Sequence, residues 1–162
     1  MMPHVVTTSD ILLRLTVATL IGAILGVDRE LRAKPAGLRT HALVALGAAL
    51  VTLTTLGLAN GGSADPVSRA IQGIIAGVGF LGAGAILKAR DRDEVSGLTT
   101  AASIWLVASL GIACGAGYWL AALAALVLAL IVLVLGGPVE GLLRRLFGRG
   151  ERNEPPHAPN ER

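Results

Sequence analysis

Long uninterrupted apolar runs organise this chain. Helices crossing a bilayer need about 20 mostly apolar residues. Five stretches approach that length, at roughly 10–27, 40–59, 70–87, 98–113 and 118–135. Within them apolar residues run continuously rather than alternating with polar ones. This favours helices over strands, which span membranes only as closed barrels. The pattern predicts an all-α integral membrane protein with one five-helix domain over 1–137. Residues 138–162 are left as a short amphipathic segment, EGLLRRLF (140–147), and a polar, Pro-rich tail read as disordered.

The short loops carry the orientation. Arg29, Arg32, Lys34 and Arg39 lie in the first, and Lys88, Arg90 and Arg92 in the third. Arg144, Arg145, Arg149, Arg152 and Arg162 follow the fifth run, leaving only Arg14 and Arg69 for the other side. By the positive-inside rule the N-terminus is expected outside, with loops one and three and the C-terminus inside. Arg14 sits about one turn inside the first run and is expected to snorkel to the outer interface. The alternative is an ion pair, for which Asp10 is the nearby acid. Tyr118 and Trp119 read as outer-interface anchors. The first ten residues contain no Lys or Arg, unlike a signal peptide.

A second pattern overlies the first. AGLRTHALVALGAAL (36–50) returns sixty residues later as SGLTTAASIWLVASL (96–110). Gly37, Leu38, Thr40, Ala42 and Leu50 match Gly97, Leu98, Thr100, Ala102 and Leu110. The same ungapped offset pairs Ile11 with Ile71, Gly22 with Gly82, Ala23 with Ala83 and Arg32 with Arg92. The unit is helix, basic loop, helix, so the first four helices are expected as two parallel repeats. Each Gly-Leu-x-Thr stands where a loop enters a helix, the Gly suited to a turn and the Thr to a cap. The positive ends of helices two and four are expected to converge on an anion or carboxylate.

Composition agrees with a membrane chain. Of 162 residues, 53% are hydrophobic and 15% charged, and mean hydropathy is +0.68. The 21 glycines suit close helix packing in lipid. Gly73, Gly77, Gly79, Gly82 and Gly84 crowd the third run and predict close contacts there. The net charge of +3 is concentrated in the loops, so nucleic-acid binding is not implied. One cysteine, Cys114, excludes an internal disulfide and a cysteine-based metal site, and reads as a packing residue. Asp28 and Glu30 fall at the disfavoured C-terminal end of the first helix and call for basic partners. Asp91, Asp93 and Glu94 read as a solvated loop, a weak magnesium signal. No run carries a mid-span Asp, Glu or Lys, which weighs against ion coupling. His4, His41 and His157 are scattered. His41 is placed to cap or pair near Asp28, with no triad beside it. Neither a phosphate-binding P-loop nor a dinucleotide fingerprint is present.

GAILGVDRELRAKPAGLRTHALVALGAAL (22–50), SRAIQGIIAGVGFLGAGAIL (68–87) and VSGLTTAASIWLVASLGIACGAG (95–117) resemble the MgtC/SapB family of bacterial inner-membrane proteins. The resemblance covers about the first 135 residues. It implies five membrane helices with the N-terminus outside. It also implies a non-enzymatic role, without cofactors, in adaptation to magnesium limitation and, in pathogens, intracellular survival. That role would run through membrane partners such as ATP synthase or ion transporters. By position the family signature falls on Gly26, Arg29, Glu30, Arg32, Gly37, Leu38, Arg39 and Thr40. It continues at Gly79, Phe80, Gly82, Ala83 and Gly84, then Gly97, Leu98, Thr99, Thr100, Ala101 and Trp105. Asp28 stands where the family often has Glu. Longer members carry a folded cytoplasmic domain that the short polar tail here does not match. The alternative is a small oligomeric transporter of Mg²⁺ or another solute.

Overall fold

A computed structural model describes residues 7–59, 65–88 and 97–147. These residues form five helices and no strand: α1 (Thr8–Leu31), α2 (Leu38–Leu58), α3 (Asp65–Lys88), α4 (Leu98–Gly115) and α5 (Trp119–Phe147). All five are long and apolar enough to cross a membrane. Several outrun their apolar stretches, because a helix satisfies its own backbone wherever lipid offers no partner. α1 begins at Thr8, capped by the Thr7 hydroxyl, which accepts from the Asp10 N–H at 3.3 Å. α5 does not end at Leu135. It continues through Gly136, Gly137 and Pro138 to Phe147, so EGLLRRLF is the last part of α5 and not a separate element. Pro138 removes one N–H donor without ending the helix. Asp91, Asp93, Glu94 and the tail beyond Phe147 lie outside the described residues.

The chain divides into two units, residues 1–128 and 129–162. In the first, α2 touches α1, α3 and α4, and α4 also touches α1 and α3. α4 is the central helix: half of its span is buried, against 17% of α3's. The core is built from small residues. Ala18, Ile21 and Leu25 of α1, Ala45, Ala48 and Ala49 of α2, and Ile104, Val107 and Ala108 of α4 are buried in it. α3 joins through Val78 and Ala85. Of the first unit's stretch of α5, Ala122 and Leu126 are buried. Large side chains such as Leu20, Leu43, Leu50 and Val127 are exposed on the outside, as suits a surface bathed in lipid. The second unit is the remainder of α5, whose apolar side chains Val132, Leu135, Val139 and Leu142 are exposed.

Glycines set how near the backbones come. A Cβ on Gly22 would stand 2.5 Å from the His41 carbonyl oxygen, and one on Gly26 would stand 2.6 Å from the Leu38 Cα. Gly111 and Gly115 of α4 press likewise on the Ala45 and Ala49 carbonyls. α2 is thus held by two glycine faces. The dense glycines of α3 behave differently: only Gly82 touches a neighbour, and Gly73, Gly77, Gly79 and Gly84 have nothing within 4 Å. The close contacts predicted for α3 are instead made by α1 and α4.

At the end of the bundle where α1 begins and α4 stops, Arg14 pairs with Asp10 at 2.8 Å. It also donates to the Gly115 carbonyl at 3.0 Å. A cation there satisfies the open carbonyls of α4's last turn. The ion-pair alternative therefore describes Arg14, with the α4 terminus added. Cys114 is fully buried, as a packing residue should be.

Candidate functional site at the converging helix ends

At the opposite end, α1 finishes and α2 and α4 start. α1 closes with a Schellman turn: the Ala33 N–H donates to the Glu30 carbonyl and the Lys34 N–H to the Arg29 carbonyl. Ala33 holds the left-handed position (φ 52°) where glycine is usual. The turn sends the chain back so that Glu30 faces the start of α2. Its Oε2 accepts from the Leu38 N–H at 3.0 Å. A Cβ at Gly37 would meet that carboxylate, so a side chain there would push the Glu30 cap aside. Glu30 therefore caps α2 from eight residues upstream and brings negative charge to the positive helix end.

The cap expected from threonine is absent in both copies. The residues preceding α2 and α4 are Gly37 and Gly97, neither giving a side-chain cap. Gly97 adopts φ 95°, a conformation that strains other residues. Thr100 is buried one turn into α4 and accepts a hydrogen bond from Arg29 Nη2 at 3.2 Å. Thr40, its repeat counterpart, is half-buried and makes no side-chain hydrogen bond among the described residues.

Arg29 is only 2% exposed, yet no carboxylate among the described residues pairs with it. The two nearest by sequence are engaged elsewhere. Asp28 Oδ1 accepts from Arg32 Nε at 2.9 Å, and Glu30 caps α2. Arg29 Nε and Asp28 Oδ2 are buried without partners. Beside Thr100, His41 is 0% exposed. Its Nδ1–H donates to the Gly37 carbonyl at 2.9 Å, leaving Nε2 to accept from the Ser103 hydroxyl at 3.0 Å. Ser103 Oγ also lies 2.8 Å from the Thr100 carbonyl oxygen, so its single proton has two acceptors in reach. His41 therefore joins α2 to α4 and does not pair with Asp28.

The cluster thus gathers Asp28, Arg29, Glu30, Arg32, Gly37, Gly97 and Thr100 around the three helix ends. Arg39 and Thr99 are exposed and stand outside its hydrogen bonds. Phe80 (83% exposed) and Trp105 (49%) point outward from α3 and α4. Gly82 packs on Ala101, and Gly79 and Gly84 face open space. Two members were not singled out by sequence, His41 as a helix-to-helix link and Ser103. Their signal is weak, a lone His and a Ser one turn beyond Thr100.

Five apolar helices, three of which meet at a buried polar end, define a multi-pass α-helical membrane protein. The family model described as "MgtC family" matches residues 15–142. The chain belongs to the MgtC family. It is 46% identical over 115 residues to the protein SrpB of Synechococcus elongatus, covering 65% of this chain and 63% of SrpB. Against SapB of Bacillus subtilis it is 44% identical over 128 residues, covering 75% and 54%. Against MgtC of Salmonella typhimurium it is 43% identical over 124 residues, covering 76% and 51%. The chain therefore spans between half and two thirds of the length of these relatives. No solved structure matches it.

Proposed function

We propose that this protein is a non-enzymatic regulator in the bacterial inner membrane that supports adaptation to magnesium limitation. In this reading it acts through membrane partners such as ATP synthase or ion transporters, with the basic end of the bundle facing the cytoplasm. Kinship with SapB and MgtC supports the setting. The observation that carries the regulatory reading is that, among the described residues, the bundle's charged side chains are confined to its two ends. Between them the helices meet mainly through Gly, Ala, Leu, Ile and Val, and the hydroxyls of Thr19 and Thr52 bond back to their own helices, a lining with little to guide an ion. The buried Ser103–His41 pair argues against hydrolytic chemistry. His41 is oriented by a backbone carbonyl instead of a carboxylate, and both side chains are covered by protein.

The test is growth and cellular ATP of a deletion strain at limiting Mg²⁺, complemented by this chain or by Asp28→Ala or Arg39→Ala variants. Rescue by the wild type alone, with every variant inserted at equal level, is the expected result. Equal rescue by all three reduces the basic loop to an anchor. Mg²⁺ flux through liposomes carrying the pure protein would replace the regulatory reading with that of an oligomeric transporter.

A further inference from the structure

We propose that Arg29 and the first turn of α4 form a binding site for a phosphate group, supplied either by free phosphate or by a lipid headgroup. The proposal does not depend on the regulatory reading and adds a ligand to it.

The positive end of a helix offers N–H donors to an anion. At α2 that end is already filled by Glu30. At α4 it carries no side-chain cap. The second observation is independent of the helix end. A guanidinium carries five N–H donors and keeps its charge. The Arg29 guanidinium reaches into α4's first turn but makes a single hydrogen bond, to a neutral hydroxyl, and its Nε is buried without a partner. Burying a cation unpaired is costly, so such groups are ordinarily matched by an anion. Among the described residues no carboxylate is within ion-pair distance of Arg29: Asp28, whose negative charge lies nearby, pairs with Arg32, and Glu30 faces α2.

Phosphate suits the place. Arg29 lies in the last turn of one apolar helix and Thr100 in the first turn of another, the depth at which phospholipid phosphates meet the protein. Leu98 and Thr99 are exposed, leaving α4's first turn accessible. Arg32, Lys34 and Arg39 are exposed on the adjoining loop and helix start, and they raise the local concentration of anions.

The experiment uses the full chain in a phosphate-free maltoside detergent. Melting temperature is followed with inorganic phosphate against chloride at equal ionic strength. A parallel series adds phosphatidylglycerol against diacylglycerol with the same chains. A rise with inorganic phosphate identifies free phosphate as a ligand. A rise with phosphatidylglycerol alone identifies the headgroup. Arg29→Gln is expected to weaken the response about 10- to 100-fold, the scale of a charge-assisted hydrogen bond. Arg69→Gln, an exposed position near the start of α3, leaves it unchanged. Thr99→Glu alters an exposed position and places a competing carboxylate in the same turn. It is expected to abolish the response, and it serves where Arg29→Gln does not fold. No rise with either phosphate source overturns the proposal, as does a wild-type response from Thr99→Glu.

Discussion

α1 and α3 open the two matched stretches of sequence, yet their glycines meet different surroundings. Gly22 faces the α2 backbone so closely that a methyl group has no room. Gly82, at the matched position, meets only the Ala101 Cβ at an ordinary 3.4 Å. The partner helices differ in the same way. His41 and Ser103 form the buried link between α2 and α4, whereas their counterparts sixty residues away are Ala101 and Leu43. Arg29 corresponds to Ala89. Exchanging α1 with α3 and α2 with α4 leaves the set of touching helix pairs unchanged. The repeated residues thus mark the helix starts and contacts, while most of the polar cluster comes from positions where the copies diverge.

The same substitution at matched positions gives the sharpest contrast. Gly22→Ala is expected to cost about 3 kcal/mol, the upper range for overpacking, because its Cβ meets main chain that cannot rotate away. Gly82→Ala is expected to be nearly neutral. Melting temperatures of the two variants in one detergent decide it, and equal losses would erase the difference between the helix pairs. Next in size, Ser103→Ala removes the partner of His41 Nε2 and should cost about 1–3 kcal/mol. Thr40→Val, whose hydroxyl makes no hydrogen bond among the described residues, should change little by the same thermal assay. Ala33→Gly relieves a left-handed alanine on an exposed turn and is expected to stabilise by about 1 kcal/mol. A loss of stability there would mean that the Schellman turn is not held as described. Smallest of all, Gly77→Ala on the open face of α3 should be neutral or stabilise by up to about 1 kcal/mol through helix propensity. If it lowers the melting temperature or disperses an oligomer on size exclusion, that face is covered in the working protein.

Much of the site was legible along the chain, but not its wiring. Gly37, Gly97, Asp28 and Glu30 announced themselves through their positions at helix ends, and a partner for each acid was expected from the dipole. That Glu30 would find the α2 backbone and Asp28 would find Arg32 was not, because each lies near several cations in sequence. The capping role assigned to threonine failed for a related reason. Glu30 reaches the end of α2 across a turn, and Thr100 is taken by an arginine seventy-one residues away in sequence. Gly22, Gly111 and Gly115 carry the tight contacts although α3 is denser in glycine. Density along one helix says nothing about which face another helix will occupy.

The sequence by itself determined the class of protein. Five continuous apolar runs can satisfy their backbones in lipid only as helices, and that constraint needs no partner to act. It also marked where α2 and α4 would start, since each Gly-Leu-x-Thr is a local feature. Only the tertiary structure decided which glycines are crowded, which polar groups are paired, and that Arg29 is buried without a carboxylate partner among the described residues. Each depends on neighbours far away along the chain, brought close by side chains small enough to let three helices meet.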